Sequence, residues 1–138
     1  MITMHTENVR TKGRNDCLDI TRTVQETVSR SKVRNGLATV FVTGSTAGVT
    51  TIEYEPGLVQ DLKAAVERLF PEDLRYAHHE AAGDDNGFSH LRASFIGPSL
   101  SVPIADGALQ LGTWQQIVLV DFDTHPRERS YLIQLLGE

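Results

Sequence analysis

The later apolar runs of this chain are joined by turns too short for a parallel crossover, and this constrains the fold more than any other feature. Strands connected this way pair antiparallel. Leu37-Ala38-Thr39-Val40-Phe41-Val42 is a continuous β-branched run that reads as a buried strand. It stops at the small-residue turn Thr43-Gly44-Ser45-Thr46-Ala47-Gly48, and Val49 to Tyr54 resumes as strand. Leu100 to Ile104 is a further strand, placed at an edge or bulge by Pro103. Trp114 to Phe122 and Arg129 to Leu136 complete the later set. Residues 2–12 alternate loosely and predict an N-terminal strand. His90 to Ile96 also alternates, which predicts a strand with His90, Arg92 and Ser94 on one face and Leu91, Ala93 and Phe95 on the other.

Two segments carry helical spacing. Asp19 is placed to cap the first, where Ile20, Val24, Thr27, Val28 and Ser31 share a face while Gln25, Glu26 and Arg30 face water. Asn35-Gly36 then punctuates the chain. Pro56 suits a first helical position, and Leu58, Leu62, Ala65, Val66 and Leu69 form a stripe that ends before Pro71. Tyr76 to Phe88 reads as loop, with a turn signal at Asn86-Gly87. The expectation is one domain over residues 1–138, with seven or eight mostly antiparallel strands and two helices.

Composition narrows the function. Thirteen Lys plus Arg against eighteen Asp plus Glu give a net charge of −5, which argues against nucleic-acid binding, since that rests on neutralising phosphates. A small phosphorylated ligand held by a few local cations stays open. The single cysteine, Cys17, excludes a disulfide framework within the chain and a multi-cysteine zinc cluster. No run approaches the ~18 apolar residues of a membrane span, and the polar N-terminus does not read as a signal peptide, so a soluble, cytoplasmic protein is expected.

Four polar clusters are candidates for chemistry. Gly44-Ser45-Thr46-Ala47-Gly48 after a buried strand offers backbone N–H groups and hydroxyls to an anion, or is an ordinary tight turn; no Lys follows as in a P-loop. His78, His79, Glu80, Asp84, Asp85 and His90 suit a divalent metal or acid–base work, or form a solvated acidic loop in which His79 is a surface histidine. Gly112-Thr113-Trp114-Gln115-Gln116 sets an indole beside amides that can read a planar ring, although a lone Trp also serves as core or interface filler. Pro126-Arg127-Glu128-Arg129 puts two arginines on one side of a strand, as a phosphate clamp or as a charged rim beside Asp121 and Asp123.

The string Ser89-His90-Leu91-Arg92-Ala93-Ser94, Gly97, Ser99, Pro103-Ile104-Ala105-Asp106-Gly107 and Leu111-Gly112-Thr113-Trp114-Gln115 resembles the YjbQ family. The resemblance extends upstream to Tyr76-Ala77-His78 and covers residues 36–138. It implies a compact α+β fold, a mainly antiparallel β-sandwich with two helices, assembled as a homotrimer. It also implies a secondary thiamine-phosphate synthase activity, in which a thiazole phosphate nitrogen displaces pyrophosphate from hydroxymethylpyrimidine diphosphate. Many members carry His-Thr-Ser-Ala after the first buried strand, where this chain has Gly44-Ser45-Thr46-Ala47, so the histidine is absent unless Glu53 or Glu55 substitutes for it.

On this reading Arg92, Ser45, Thr46 and backbone amides near Gly44 take the phosphates, and His78 and His90 orient them or bind a metal. Trp114 stacks on a ring while Gln115 reads its edge. Mg²⁺ is expected with the diphosphate substrate, on carboxylates such as Asp84 or Asp85, and a His-bound ion such as Zn²⁺ on His78 and His90 is the further metal expectation. The competing expectation is a non-catalytic trimer that binds a phosphorylated metabolite or a divalent metal.

Overall fold

In the computed structural model, which describes residues 1–138, eight strands and four helices follow one another. They are β1 (Ile2–Thr11), β2 (Asp16–Asp19), α1 (Thr21–Ser31), β3 (Gly36–Val42), β4 (Ala47–Ile52), α2 (Pro56–Leu69), α3 (Ala77–Ala82), α4 (Gly87–Ile96), β5 (Ser99–Ala105), β6 (Ala108–Leu109), β7 (Gln116–Asp121) and β8 (Arg127–Gly137). Every strand pairing is antiparallel, as the short connections require. The strands form two sheets, one ordered β1-β8-β3-β5-β6 and the other β2-β7-β4. The architecture is α+β.

The two sheets pack against each other through residues of alternating parity. Ala38, Val40 and Val42 of β3, Ile133 and Leu135 of β8, and Ile117 and Leu119 of β7 meet in the main core, which α1 closes with Val24 and Val28. The other face of the three-stranded sheet carries Val118, Val120 and Cys17, and it is covered by Val66 of α2 and Ala93 of α4. Strand β7 is therefore buried on both faces, which explains its unbroken apolar run. Burial pushes the Cys17 thiol up to about 11, so at neutral pH it is a protonated core residue and no nucleophile.

The helices differ from the sequence expectation in number and place. Asp19 is not the cap of α1: the N-cap position is Ile20, without a side-chain cap bond, and Asp19, one residue earlier, accepts only from the Thr21 N–H at 2.9 Å. Helix α2 is capped by Glu55, which accepts from the Gly57 and Leu58 N–H groups, but only its Val66 is buried, and Leu58 and Leu69 remain exposed. Two helices replace predicted loop and strand. Helix α3 lies where residues 76–88 read as loop, and α4 takes His90–Ile96, which alternation assigned to a strand. The buried set on α4 is Gly87, Phe88, Ser89, Arg92 and Ala93, of which the last four recur at i, i+1, i+4 and i+5 as on one helix face. Gly48 makes the packing of α4 on β4 possible, because a Cβ there would sit 2.8 Å from Ile96 Cγ2 and 3.0 Å from the Gly97 carbonyl oxygen. No helix is long and apolar enough to cross a membrane.

Candidate functional site

Helix α4 projects His90 toward α3, which supplies His78. The two imidazoles meet edge to face, with centroids 4.7 Å apart. His78 Nε2 is shut off from solvent and has no hydrogen-bond partner; its nearest acid is Asp84, with Oδ2 4.0 Å away. Asn86 Oδ1 and Ser89 Oγ, near the start of α4, are likewise buried and unpartnered. His79 is not a bare surface histidine. Its Nε2 accepts from the Gly87 N–H at 3.2 Å and its ring stands edge-on to Tyr76, so it fastens α3 to the start of α4.

A hollow of about 180 Å³ opens beside His90. Its walls are Ser94, one helical turn beyond His90, together with Ala93, Pro98 and the Gly44, Ser45 and Ala47 side of the turn between β3 and β4. Residue patterning puts the small-residue turn and His90 in separate clusters, and only the family resemblance joins them; the packing of α4 on β4 brings them into one place. Ser45 is exposed there and free to donate. Thr46 faces the other way: its hydroxyl donates to Asp123 Oδ2 at 3.1 Å and accepts from Arg129, so it cannot also serve a phosphate.

Arg92 is a correction. On a strand, positions 90 and 92 share a face, but on a helix they diverge by about 200°. Arg92 accordingly points into the protein, 1% exposed. It donates to Glu67 Oε2 (2.6 Å), the Phe70 carbonyl (2.7 and 3.1 Å) and Asn15 Oδ1 (3.0 Å), and it lies 4.7 Å from the Phe88 ring centroid. Its role is to tie α4, α2 and the β1–β2 connection together, and no donor faces the hollow.

The buried ionic chemistry sits at Arg129 instead. Its guanidinium forks onto both oxygens of Asp121 at 2.8 Å, while Arg127 donates to Asp123 at 2.8 Å. Both arginines thus face the acids, as a period of two requires, but Arg129 is core and only Arg127 lies at the rim. Burial alone would push Asp121 and Asp123 up. Hydrogen bonds from Arg129 and Thr11 to Asp121, and from the Thr124 N–H, Arg127 and Thr46 to Asp123, outweigh it and hold both carboxyls below the usual range. A folded-state value below the unfolded one, ~3.9, stabilises the fold above that pH, and the stabilisation is lost as pH falls through the folded values. Thermal melting should therefore be flat toward neutral pH and fall steeply below about pH 4, and Asp121→Asn should flatten that fall. A scanning calorimetry series over pH checks this, and equal acid slopes in both proteins would show that the pair does not set the limit.

Trp114 is 72% exposed on the connection between β6 and β7, and it lines none of this hollow. Gln115 lines a second hollow of about 280 Å³ with Thr50, Thr51, Ser99 and Ser101, and donates to Thr51 Oγ1 at 3.3 Å. Glu55 caps α2, and neither Glu53 nor Glu55 lines the hollow at Gly44, so neither takes the place of a histidine there. The metal expectation on His78, His90, Asp84 and Asp85 fits poorly as a resident site. No three His, Cys, Asp or Glu side chains are arranged to hold an ion, and two imidazoles fall short of the three protein ligands of a catalytic zinc. Asp84 and Asp85 are exposed oxygen donors, which suits a Mg²⁺ ion that arrives with phosphate oxygens.

A family model described as "UPF0047 protein YjbQ-like" matches residues 5–138. A UPF0047 protein of Methanothermobacter thermautotrophicus is 37% identical over 130 residues, 94% of this chain and 89% of that one. A UPF0047 protein of Mycobacterium tuberculosis is 45% identical over 97 residues, 70% of this chain and 71% of that one. The crystal structure of a hypothetical protein from Aeropyrum pernix superposes with a TM-score of 0.92 at 36% identity, covering 99% of each chain.

Proposed function

This chain belongs to the YjbQ-like UPF0047 family, and from that premise we propose that it is a transferase of the secondary thiamine-phosphate synthase type. The observation that carries this reading is the single hollow in which His90, backed by His78, faces the Gly44–Ala47 turn. One wall offers imidazole and hydroxyl groups, the other offers backbone amides, and both suit a phosphorylated small molecule.

In the reaction the thiazole nitrogen forms a bond to the pyrimidinylmethyl carbon while the carbon–oxygen bond to diphosphate breaks. The electron pair of that bond leaves with pyrophosphate, and the new positive charge rests on the thiazolium nitrogen. The barrier falls when the leaving group's growing charge meets fixed donors and water is kept out. Ser45 and the turn amides supply donors, and His90 orients the phosphate or donates to it. Mg²⁺, held by the diphosphate with Asp84 or Asp85, would add positive charge at the leaving group. Trp114 stands outside the hollow of its own chain, so ring stacking requires it to come from a neighbouring subunit.

Self-association into the homotrimer has support on the outer face of the five-stranded sheet. Ile2, Met4, Leu37, Phe41 and Leu136 are all exposed there, and Leu136 is in register with both Ile2 and Leu37. An apolar strip across three adjacent strands is what a subunit contact needs. Sedimentation equilibrium should give three times the chain mass, and Phe41→Glu should shift it toward the monomer. A wild-type monomer at micromolar concentration would remove both the trimer and the borrowed Trp114.

The other reading, binding of a phosphorylated metabolite without turnover, is favoured by the absence of Arg92 and Trp114 from the hollow. Incubation of purified protein with both substrate halves and Mg²⁺ decides between them. Thiamine phosphate and pyrophosphate in equal amounts support the transferase. Saturable binding of one half with no product supports the binder.

A further inference from the structure

We propose that Arg129, through its unbonded Nη1, anchors a phosphate oxygen at the Gly44–Thr46 turn. This deepens the reading above and rests on its phosphorylated ligand. The Arg129 side chain is 3% exposed. Its Nε and Nη2 are committed to Asp121 and Thr46, while Nη1 donates to nothing in the chain. Nη1 is not sealed from solvent, so its N–H groups stay available to an acceptor that arrives from outside the chain.

The position of that group gives the site. A Cβ built on Gly44 would lie 2.7 Å from Nη1, so the guanidinium end occupies the place where any larger residue would put its side chain. The backbone N–H groups of Gly44, Ser45 and Thr46 also have no acceptor within the chain. Gly44 and Ser45 line the hollow that holds His90, and behind Gly44 stands the free Nη1, so the turn amides, the Ser45 hydroxyl and one guanidinium N–H are donors grouped about a single turn. Such a concavity selects an anion by donor geometry. Charge adds little, because Arg127 and Arg129 are already balanced by Asp121 and Asp123. Neighbouring groups therefore favour a multi-oxygen anion that can use several donors at once, a terminal phosphate or diphosphate, over a single-charge anion.

Removing Arg129 would unsettle the fold, so the test is Gly44→Ala in the full-length protein. The backbone at 44 is not left-handed, so alanine brings no strain of its own, and its Cβ displaces Nη1. Inorganic pyrophosphate and inorganic phosphate are titrated by calorimetry, and pyrophosphate should bind the wild type more tightly. Gly44→Ala should weaken pyrophosphate by about tenfold or more, the scale of one charge-assisted hydrogen bond. In nitrogen-15 spectra of the wild type, pyrophosphate should move the Arg129 guanidinium resonances. Chloride should move neither signal. Undiminished affinity in Gly44→Ala, unmoved Arg129 resonances, or no wild-type binding at millimolar pyrophosphate each overturns the proposal. If Gly44→Ala loses pyrophosphate binding but the wild type makes no thiamine phosphate, the anchor stands and the transferase falls. If product forms equally well with alanine at 44, the anchor alone falls.

Discussion

Arg129→Leu should lower the unfolding free energy by about 3–5 kcal/mol, the cost of breaking a buried ion pair by deleting one partner. Asp121, with no exposure at all, would lose both of its forked bonds and keep only Thr11 and the Asp123 N–H as donors. A domain of this length has about 5–15 kcal/mol in total, so the variant would lose a fifth of its stability at the least and nearly all of it at the most. Arg127→Leu is the control. Arg127 is 41% exposed, and Asp123 would retain Thr46 and the Thr124 N–H, so the loss should be near 1 kcal/mol. Urea denaturation with unchanged m-values measures both. Asp121→Asn in the Arg129→Leu background should recover part of the loss, because no uncompensated charge is then buried. If Arg129→Leu were as stable as Arg127→Leu, the buried pair would not hold this end of the sandwich together.

The same residues show how far the sequence could be read. Strands β3 and β7 were legible because continuous β-branched runs have one physical explanation, burial on a sheet. Arg129 was legible too, in retrospect: it shares parity with Tyr131, Ile133 and Leu135, all buried on β8. A charge at an inward position signals a paired core group, and the acids four residues back from Arg127 and eight back from Arg129 supply the pairing within β7 and its exit. Helix α4 defeated the reading for the opposite reason. Its buried face carries Ser89 and Arg92, so the helical stripe is half polar and an accidental alternation of His90, Arg92 and Ser94 stood out instead. The error moved one residue across the protein: Arg92 left the site, while His90 and Ser94, a helical turn apart, stayed together. The contact between His78 and His90 depends on how two short helices meet, which no periodicity encodes.

That displacement separates two residues which the strand reading had made equivalent. His90→Ala should cut thiamine phosphate formation by about tenfold or more, each decade corresponding to about 1.4 kcal/mol of barrier, with the melting temperature little changed. Its ring borders a hollow and packs only edge-on against His78, so truncation removes a donor to the ligand and little of the core. His78→Ala should act in the same direction but more weakly, since His78 supports the His90 ring and does not line the hollow. Arg92→Lys should do the reverse. A lysine cannot reproduce the fork to Glu67, Phe70 and Asn15, so the melting temperature should drop, while the rate per folded molecule stays within a factor of about two. Rates are normalised to folded protein by calorimetry, which separates loss of structure from loss of chemistry. A His90→Ala variant with wild-type turnover would remove His90 from the reaction, and an Arg92→Lys variant that melts normally and fails only in turnover would return Arg92 to the site beside His90, as alternation suggested.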